Sequence, residues 1–221
     1  MHHKRLNLHF FGPQGSGKGT QAEILANKLK LINISAGQLF RDRAKLNDKF
    51  GLILKNVLRS GELIPVGIHE RIIEETISRT PNVRGFVFDG VIRNRQQMAT
   101  FNKLWPKFNL DEPILIVLEI SDRESVKRIE KRRTCLKCDN ISIAENHEKL
   151  TICPECGSKM VQRSDDHKEA IQKRLSIYHQ ETKPMIDFFQ IKNRVVLIDG
   201  YPTIPQVTEL IIKALKLKKL L

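Results

Sequence analysis

No stretch of the 221-residue chain approaches the roughly 20 consecutive apolar side chains that a membrane-crossing helix needs. No secretory signal is visible either: the apolar run from Leu6 to Phe11 is short and passes straight into glycines. Low-complexity tracts and internal repeats are absent, and hydrophobic residues make up an ordinary 40%, which excludes a disordered tail protein. Cysteine is scarce, with four residues confined to positions 135–156. With no signal peptide, disulfides are not expected. The chain reads as a soluble, cytoplasmic monomer, one large domain carrying small insertions.

What is abundant is positive charge: 38 Lys and Arg against 25 Asp and Glu, a formal net charge of +13. The excess is concentrated, because residues 1–60 carry 11 basic and 3 acidic side chains while residues 61–120 carry 7 and 8. A basic balance attracts polyanions in general and does not by itself separate nucleotides from nucleic acid or an anionic membrane surface. The Lys-rich end (Lys213, Lys216, Lys218, Lys219) reads as the solvated face of a last helix, with a membrane-surface helix as the alternative.

Apolar strand-like runs at Leu6–Phe11, Leu31–Ser35, Gly85–Asp89, Ile114–Ile120 and Val195–Asp199 alternate with helical patterns. The helices are expected near Lys18–Leu29, Gly67–Ser78, Arg95–Leu104, Arg123–Arg132, Asp166–Phe189 and Pro205–Leu217. Strands apolar almost throughout suit a parallel sheet covered on both faces, so an α/β doubly wound domain is predicted. Two segments break the alternation. Residues 36–64 read as short helices with a glycine-bounded break (Gly51, Gly61), and residues 133–162 are polar and hold all four cysteines.

The run Gly12-Pro13-Gln14-Gly15-Ser16-Gly17-Lys18-Gly19-Thr20 follows the first strand and opens a helix, the context that marks a phosphate-binding loop. Its glycines let backbone N–H groups turn inward around a phosphate, and Lys18 adds a mobile positive charge. Gly19 delays the hydroxyl to Thr20, which suits it to phosphate oxygens more than to direct metal ligation. Asp89 ends an apolar strand, where a carboxylate can orient water around Mg²⁺. Cys135-x-x-Cys138 and Cys153-x-x-Cys156 stand 14 residues apart, a spacing that can place four thiolates around one ion, zinc over iron, in a closed structural site. His147, between the pairs, is expected to be a solvated histidine.

The segment GPQGSGKGTQA (12–22) resembles the phosphate loop of the adenylate kinase family, whose loops read Gly-Lys-Gly-Thr. ISAGQLFR (34–41), SGELIP (60–65), RGFVFDGVIRNRQQ (84–97), RIEKRR (128–133), RSDD (163–166) and KRLSIYHQ (173–180) follow in that family's order. The resemblance implies a nucleoside monophosphate kinase that transfers a phosphoryl group reversibly from MgATP to AMP. It implies a P-loop NTPase-type five-stranded parallel sheet flanked by helices, formed by residues 1–35, 65–132 and 163–221. Residues 36–64 would be a helical acceptor-binding insert and residues 133–162 a zinc-bearing lid. On the donor side it implies Gly12, Gly15, Ser16, Gly17, Lys18, Gly19, Thr20 and Gly200, with Arg128 near the adenine and Arg132 on the phosphates. Ala36, Arg41, Leu63, Ile64, Gly90, Arg93 and Gln97 would hold the acceptor, and Arg163 and Arg174 would bridge both nucleotides. Lys18, Asp89, Arg93, Arg132, Arg163 and Arg174 form the implied catalytic set; Arg128 and Arg132, four apart, are expected on one helix face.

The acceptor side departs from the family. Adenylate kinases usually read Ser-Thr-Gly-Asp where this chain has Ser35-Ala36-Gly37-Gln38, and Asp-Gly-Phe-Pro-Arg where it has Asp89-Gly90-Val91-Ile92-Arg93. Ala36, Asn94 and Pro65-Val66 are more similar to UMP/CMP kinases, whereas Gln97 and the zinc lid match the adenylate branch. AMP is the expected acceptor, with CMP or UMP the alternative. Two other functions compete: a nucleotide-dependent nucleic-acid binder built on the zinc knuckles, and a kinase fold that binds nucleotide without turnover. Against the first, residues 134–162 contain no aromatic side chain on which a base could stack.

Overall fold

The computed structural model describes residues 5–46, 48–80, 83–144, 150–190 and 194–221. Strand β1 (Leu8–Phe11), buried at every position, runs through the glycine-rich loop into α1 (Lys18–Leu29). Strand β2 (Ile32–Ser35) passes directly into α2 (Ala36–Ala44), which packs on α3 (Lys49–Ser60). Helix α4 (Val66–Ser78) returns the chain to β3 (Phe86–Asp89). Helix α5 (Arg95–Lys107) is capped by Asn94, whose side chain accepts from the Gln97 N–H at 2.9 Å, and precedes β4 (Ile114–Glu119). Helix α6 (Asp122–Glu130) leads to β5 (Arg132–Cys135), β6 (Ile141–Ile143) and β7 (Met160–Val161). Helix α7 (Lys168–Ile177), a π-helical turn at Tyr178–Thr182 and α8 (Lys183–Gln190) follow, then β8 (Val195–Asp199) and α9 (Ile204–Leu217).

The main sheet has five parallel strands in the order β2-β3-β1-β4-β8. Alternation along β1 sends Leu8 and Phe10 into a core with α1 and α9 (Ala22, Leu25, Ile211, Leu215) and Phe11 into a second core with Phe88, Ile73, Phe101 and Trp105. Each fully buried side chain of this size stabilises the fold by about 1.5–3 kcal/mol. The chain leaves β1 toward the β2–β3 side and crosses from β3 to β4 on the other side of β1, a switch that opens a crevice at the carboxyl ends of the strands. Register places Ser35 level with Asp89, and Asp89 level with Phe10, so the loop after β1 begins beside that carboxylate. A separate antiparallel sheet, ordered β6-β5-β7, carries the cysteines.

Three local expectations change. The helix predicted over Arg123–Arg132 stops at Glu130, and Arg132 opens β5 instead. Pairing with β6 and β7 overrides the helical spacing, so Arg128 and Arg132 do not share a helix face. The helix predicted over Asp166–Phe189 starts at Lys168 and is widened at Tyr178–Thr182. Pro184 lies just beyond; it has no N–H for the carbonyl four residues back, and a π turn accommodates that loss. The break in residues 36–64 falls before Gly51, which sits in the first turn of α3 because a Cβ there would lie 1.9 Å from the Leu46 carbonyl oxygen. His147 lies outside the described residues. Lys213 and Lys216 lie on the exposed side of α9, and among the described residues no helix is long and apolar enough to cross a membrane.

Candidate active site

The loop between β1 and α1 wraps tightly around its own backbone. Gly12 takes φ +135°, and a Cβ there would stand 2.3 Å from the Leu118 carbonyl oxygen, so only glycine fits against β4. The loop is tied from both sides: Ser125 Oγ donates to the Gln14 carbonyl at 2.6 Å, and Gln14 Nε2 donates to the Ile171 carbonyl at 2.7 Å. Lys18 Nζ spans it, donating to the carbonyls of Gly12 and Pro13 at 2.7 Å each. Burial pulls the Lys18 ammonium down to about 8; Asp89 opposes that shift, while Arg93 and Arg132 add to it.

Asp89 ends β3 and accepts from Ser35 Oγ at 3.1 Å. A Cβ on Gly19 would approach its Oδ2 to 3.2 Å, so the carboxylate lies against the first turn of α1, where Thr20 also sits. A carboxylate at this junction is an oxygen donor of the kind that hydrated Mg²⁺ takes through water. Beyond Asp89 the chain turns at Gly90 (φ +63°), whose carbonyl accepts from Arg93 Nε at 3.2 Å. Gln97 Oε1 accepts from the Arg93 N–H at 2.8 Å, and Thr182 Oγ1 in the π turn donates to the Arg93 carbonyl at 2.7 Å. Arg41 Nη2 donates to Gln38 Oε1 at 2.8 Å, and Gln38 Nε2 reaches Asp139 Oδ2 in the cysteine-bearing sheet at 3.2 Å. Ala36 and Ile64 are buried in the core, and Leu63 is half-buried in the segment before α4.

Arg132 and Arg174 are held by carboxylates and Arg163 by a hydroxyl. Arg132 Nε donates to Asp166 Oδ2 at 2.8 Å and Nη2 to Oδ1, a two-pronged pair with the Asp166 side chain fully buried. Arg174 Nη2 donates to Asp165 Oδ2 at 2.5 Å and to the Leu58 carbonyl at 3.1 Å. Burial alone would push the Asp165 carboxyl up, but Arg174 holds it below its ordinary value. Arg163 Nε donates to Thr134 Oγ1 at 2.9 Å; burial, then Arg132 and Arg41, pull its guanidinium down to about 9. Burial also lowers Arg41 and Arg93. The mutual influence of these groups places Lys18, Arg41, Arg93, Arg132, Arg163 and Arg174 around Asp89, Asp165 and Asp166. With Asp139, which also acts on Arg41, six cations face four carboxylates in a partly dehydrated space, an arrangement suited to a polyanion. Arg128 flanks the loop from α6, where a Cβ on Gly15 would meet its Cβ at 3.4 Å; it donates to Glu124 Oε1 at 2.8 Å and to the Gly200 carbonyl at 2.9 Å, and lies 6.0 Å from the Tyr201 ring centre.

The four cysteine sulfurs lie within 4.8 Å of one another, with Cys135–Cys156 at 3.4 Å and Cys138–Cys153 at 3.6 Å. A tetrahedron of thiolates about 2.3 Å from a central ion has edges near 3.8 Å, so the set fits a four-coordinate metal. Among the described residues the cluster around it buries Cys135, Cys153 and Met160, with Leu150 and Cys156 partly buried against them.

The adenylate kinase family model matches residues 10–194. The adenylate kinase of Caldanaerobacter subterraneus subsp. tengcongensis is 35% identical over 95% of this chain and 96% of its own length. That of Acholeplasma laidlawii is 34% identical over 97% and 100%. The chain belongs to the adenylate kinase family. It is therefore a phosphotransferase, of a family whose substrates are ATP and a nucleoside monophosphate. In this family member the motif residues gather at the carboxyl edge of the sheet, where a Cβ placed on Gly200, just after β8, would lie 3.4 Å from the Ser16 carbonyl oxygen, and Arg128 bonds the Gly200 carbonyl beside Tyr201. Asp165 and Asp166 are arginine holders that residue-by-residue reading passed over; their signal was the acidic pair two positions after Arg163. Thr182 had none, since its reach to Arg93 depends on the π turn.

Proposed function

We propose that this adenylate kinase family member transfers the γ-phosphoryl group of MgATP to AMP, giving two ADP. The observation that carries the reading is one linked cluster, in which Lys18, Arg41 and Arg93 surround Asp89 and Arg132, Arg163 and Arg174 surround Asp165 and Asp166 beside them. In the forward step a phosphate oxygen of AMP bonds to the γ-phosphorus as the bond to the bridging β,γ-oxygen breaks, and the leaving group departs as ADP. The chain's part is positioning and charge neutralisation. Lys18 and the loop N–H groups hold donor phosphates, Arg41 and Arg93 the acceptor phosphate, and Arg132, Arg163 and Arg174 the charge spread over the transferring group. Asp89 would orient water around Mg²⁺, which would neutralise donor phosphate charge, and Thr20 would serve phosphate oxygens. The four cysteines would hold a structural Zn²⁺ that keeps the lid folded.

Gln97 supports a base with a ring-nitrogen acceptor. Its Oε1 already serves the Arg93 N–H, which leaves the NH₂ end to donate. Adenine N1 accepts such a bond and so does cytosine N3; the uracil N3–H does not, so Gln97 argues against UMP. Incubating the protein with MgATP and AMP, CMP or UMP in turn, and resolving the diphosphates, tests the reading. ADP from AMP is the expected main product. Faster formation of CDP or UDP would overturn the acceptor assignment, and no diphosphate from any acceptor would overturn the kinase.

A further inference from the structure

Where the family's usual loop reads Phe-Pro, this chain has Val91-Ile92, and the exchange adds a backbone N–H that proline lacks. Both residues are fully buried, so the new donor cannot turn to water. Its acceptor comes from the middle of β1: His9 Nε2 accepts the Ile92 N–H at 3.3 Å. One residue earlier the Val91 carbonyl is bonded by His69 Nε2, from α4, at 2.6 Å. The backbone partners dictate the tautomers. An N–H can only donate, so His9 Nε2 is bare and the proton sits on Nδ1; a carbonyl can only accept, so His69 carries its proton on Nε2. Neither Nδ1 has a partner in the protein, and both are buried.

Two imidazoles set among Phe11, Phe40, Phe88 and Phe101 are costly places for polar rings. Burial lowers His9 to about 3 and His69 to about 4, so both stay neutral near pH 7 with their roles intact. With their bonds, five backbone groups of the loop are held by side chains. The Gly90 carbonyl is bonded by Arg93, the Val91 carbonyl by His69, the Ile92 N–H by His9, the Arg93 N–H by Gln97 and the Arg93 carbonyl by Thr182. Slack at Val91-Ile92 passes directly to Arg93 and Gln97.

We propose that His9 and His69 are positioning residues for the acceptor site, two side chains that grip the Val91-Ile92 backbone and thereby set Arg93 and Gln97. The proposal rests on the kinase reading above. His→Leu deletes each grip. His→Gln keeps a polar atom where Nε2 stood, an acceptor for Ile92 at position 9 and a donor for Val91 at position 69. Steady-state kinetics with AMP and MgATP varied separately should show the Leu variants raising the acceptor KM about 10-fold, with the ATP KM within about two-fold. The Gln variants should stay near wild type. Adding Ile92→Pro to His9→Leu removes the orphaned donor and should restore the acceptor KM. Amide hydrogen exchange at Ile92 gives a readout independent of turnover: protection should fall in His9→Leu and persist in His9→Gln.

Wild-type protein assayed in parallel separates the two failures. No diphosphate from wild type sinks the kinase reading while exchange at Ile92 still reports on the grip. An active wild type with Leu variants of unchanged acceptor KM, or with both KM values raised equally, overturns the positioning role. If His9→Leu does not fold, a folded His9→Leu/Ile92→Pro enzyme with wild-type acceptor KM supports the proposal, and failure of that double variant to fold contradicts it.

Discussion

At the scale of single residues, the site is a set of cations whose hydration has been partly stripped before any ligand arrives. Lys18 is the clearest case, held at about 8 by burial among Arg93 and Arg132. Near pH 8.5 most of the free protein should carry it neutral, and the phosphates of bound MgATP should restore its charge. Nucleotide binding at that pH is therefore expected to take up part of a proton, measured by calorimetry in two buffers of different ionisation enthalpy. Lys18→Ala should abolish the uptake; equal uptake by both proteins would show that Lys18 does not meet the phosphates. Arg132 acts through geometry. Its two-pronged grip on Asp166 fixes the guanidinium plane, so Arg132→Ala should lower kcat by on the order of 10³, and Arg132→Lys should recover little, because an ammonium cannot reproduce the planar fork. Steady-state kinetics of the two variants check this.

Residues such as Lys18, Asp89 and Arg93 were legible in the sequence because their motifs sit at junctions, where a strand ends and a glycine turns the chain. The partners that hold them were not. His9 reads as one more position in a buried strand, and only the pairing of β1 with β3 brings it to Ile92. Asp166 is 34 residues from Arg132, a distance that the intervening sheet closes.

At the scale of elements, the parallel strands were readable from apolar runs alone, since burial on both faces leaves few alternatives. The elements that move the chemistry were less so. Four-residue spacing between Arg128 and Arg132 is a helical signal, yet the chain leaves the helix at Lys131 to pair around the cysteines. The cysteine-bearing sheet has almost no core of its own, so its order should depend on the metal. About one zinc per chain is expected by elemental analysis. Cys156→Ser should lose it and lower kcat, because Arg132 and Arg163 are set by this sheet and the segment behind it. A metal-free Cys156→Ser enzyme with full kcat would contradict that dependence.

At the scale of the whole molecule, the +13 charge acquires a location but not a complete explanation. Lys18 and Arg41, from the most basic quarter, join the central cluster, whereas Lys213 and Lys216 lie on the exposed side of α9, away from it. The molecule also stores an acid sensitivity. His9 and His69 are neutral when folded and ordinary when unfolded, so the unfolded chain binds more protons below about pH 6.5. Stability should fall as pH drops from there toward 4, each histidine contributing about 1.4 kcal/mol per pH unit. Denaturant unfolding at several pH values should give a shallower slope for His69→Gln than for wild type; equal slopes would show that the ring is not held neutral.

The central claim is that phosphates of two nucleotides meet over this cluster and that one is passed across. It is tested most directly by following the label from γ-labelled MgATP in the presence of unlabelled AMP. Label is expected in the β-phosphoryl group of ADP made from AMP, with two ADP formed for each ATP consumed. Label released as inorganic phosphate, with AMP untouched, would contradict it.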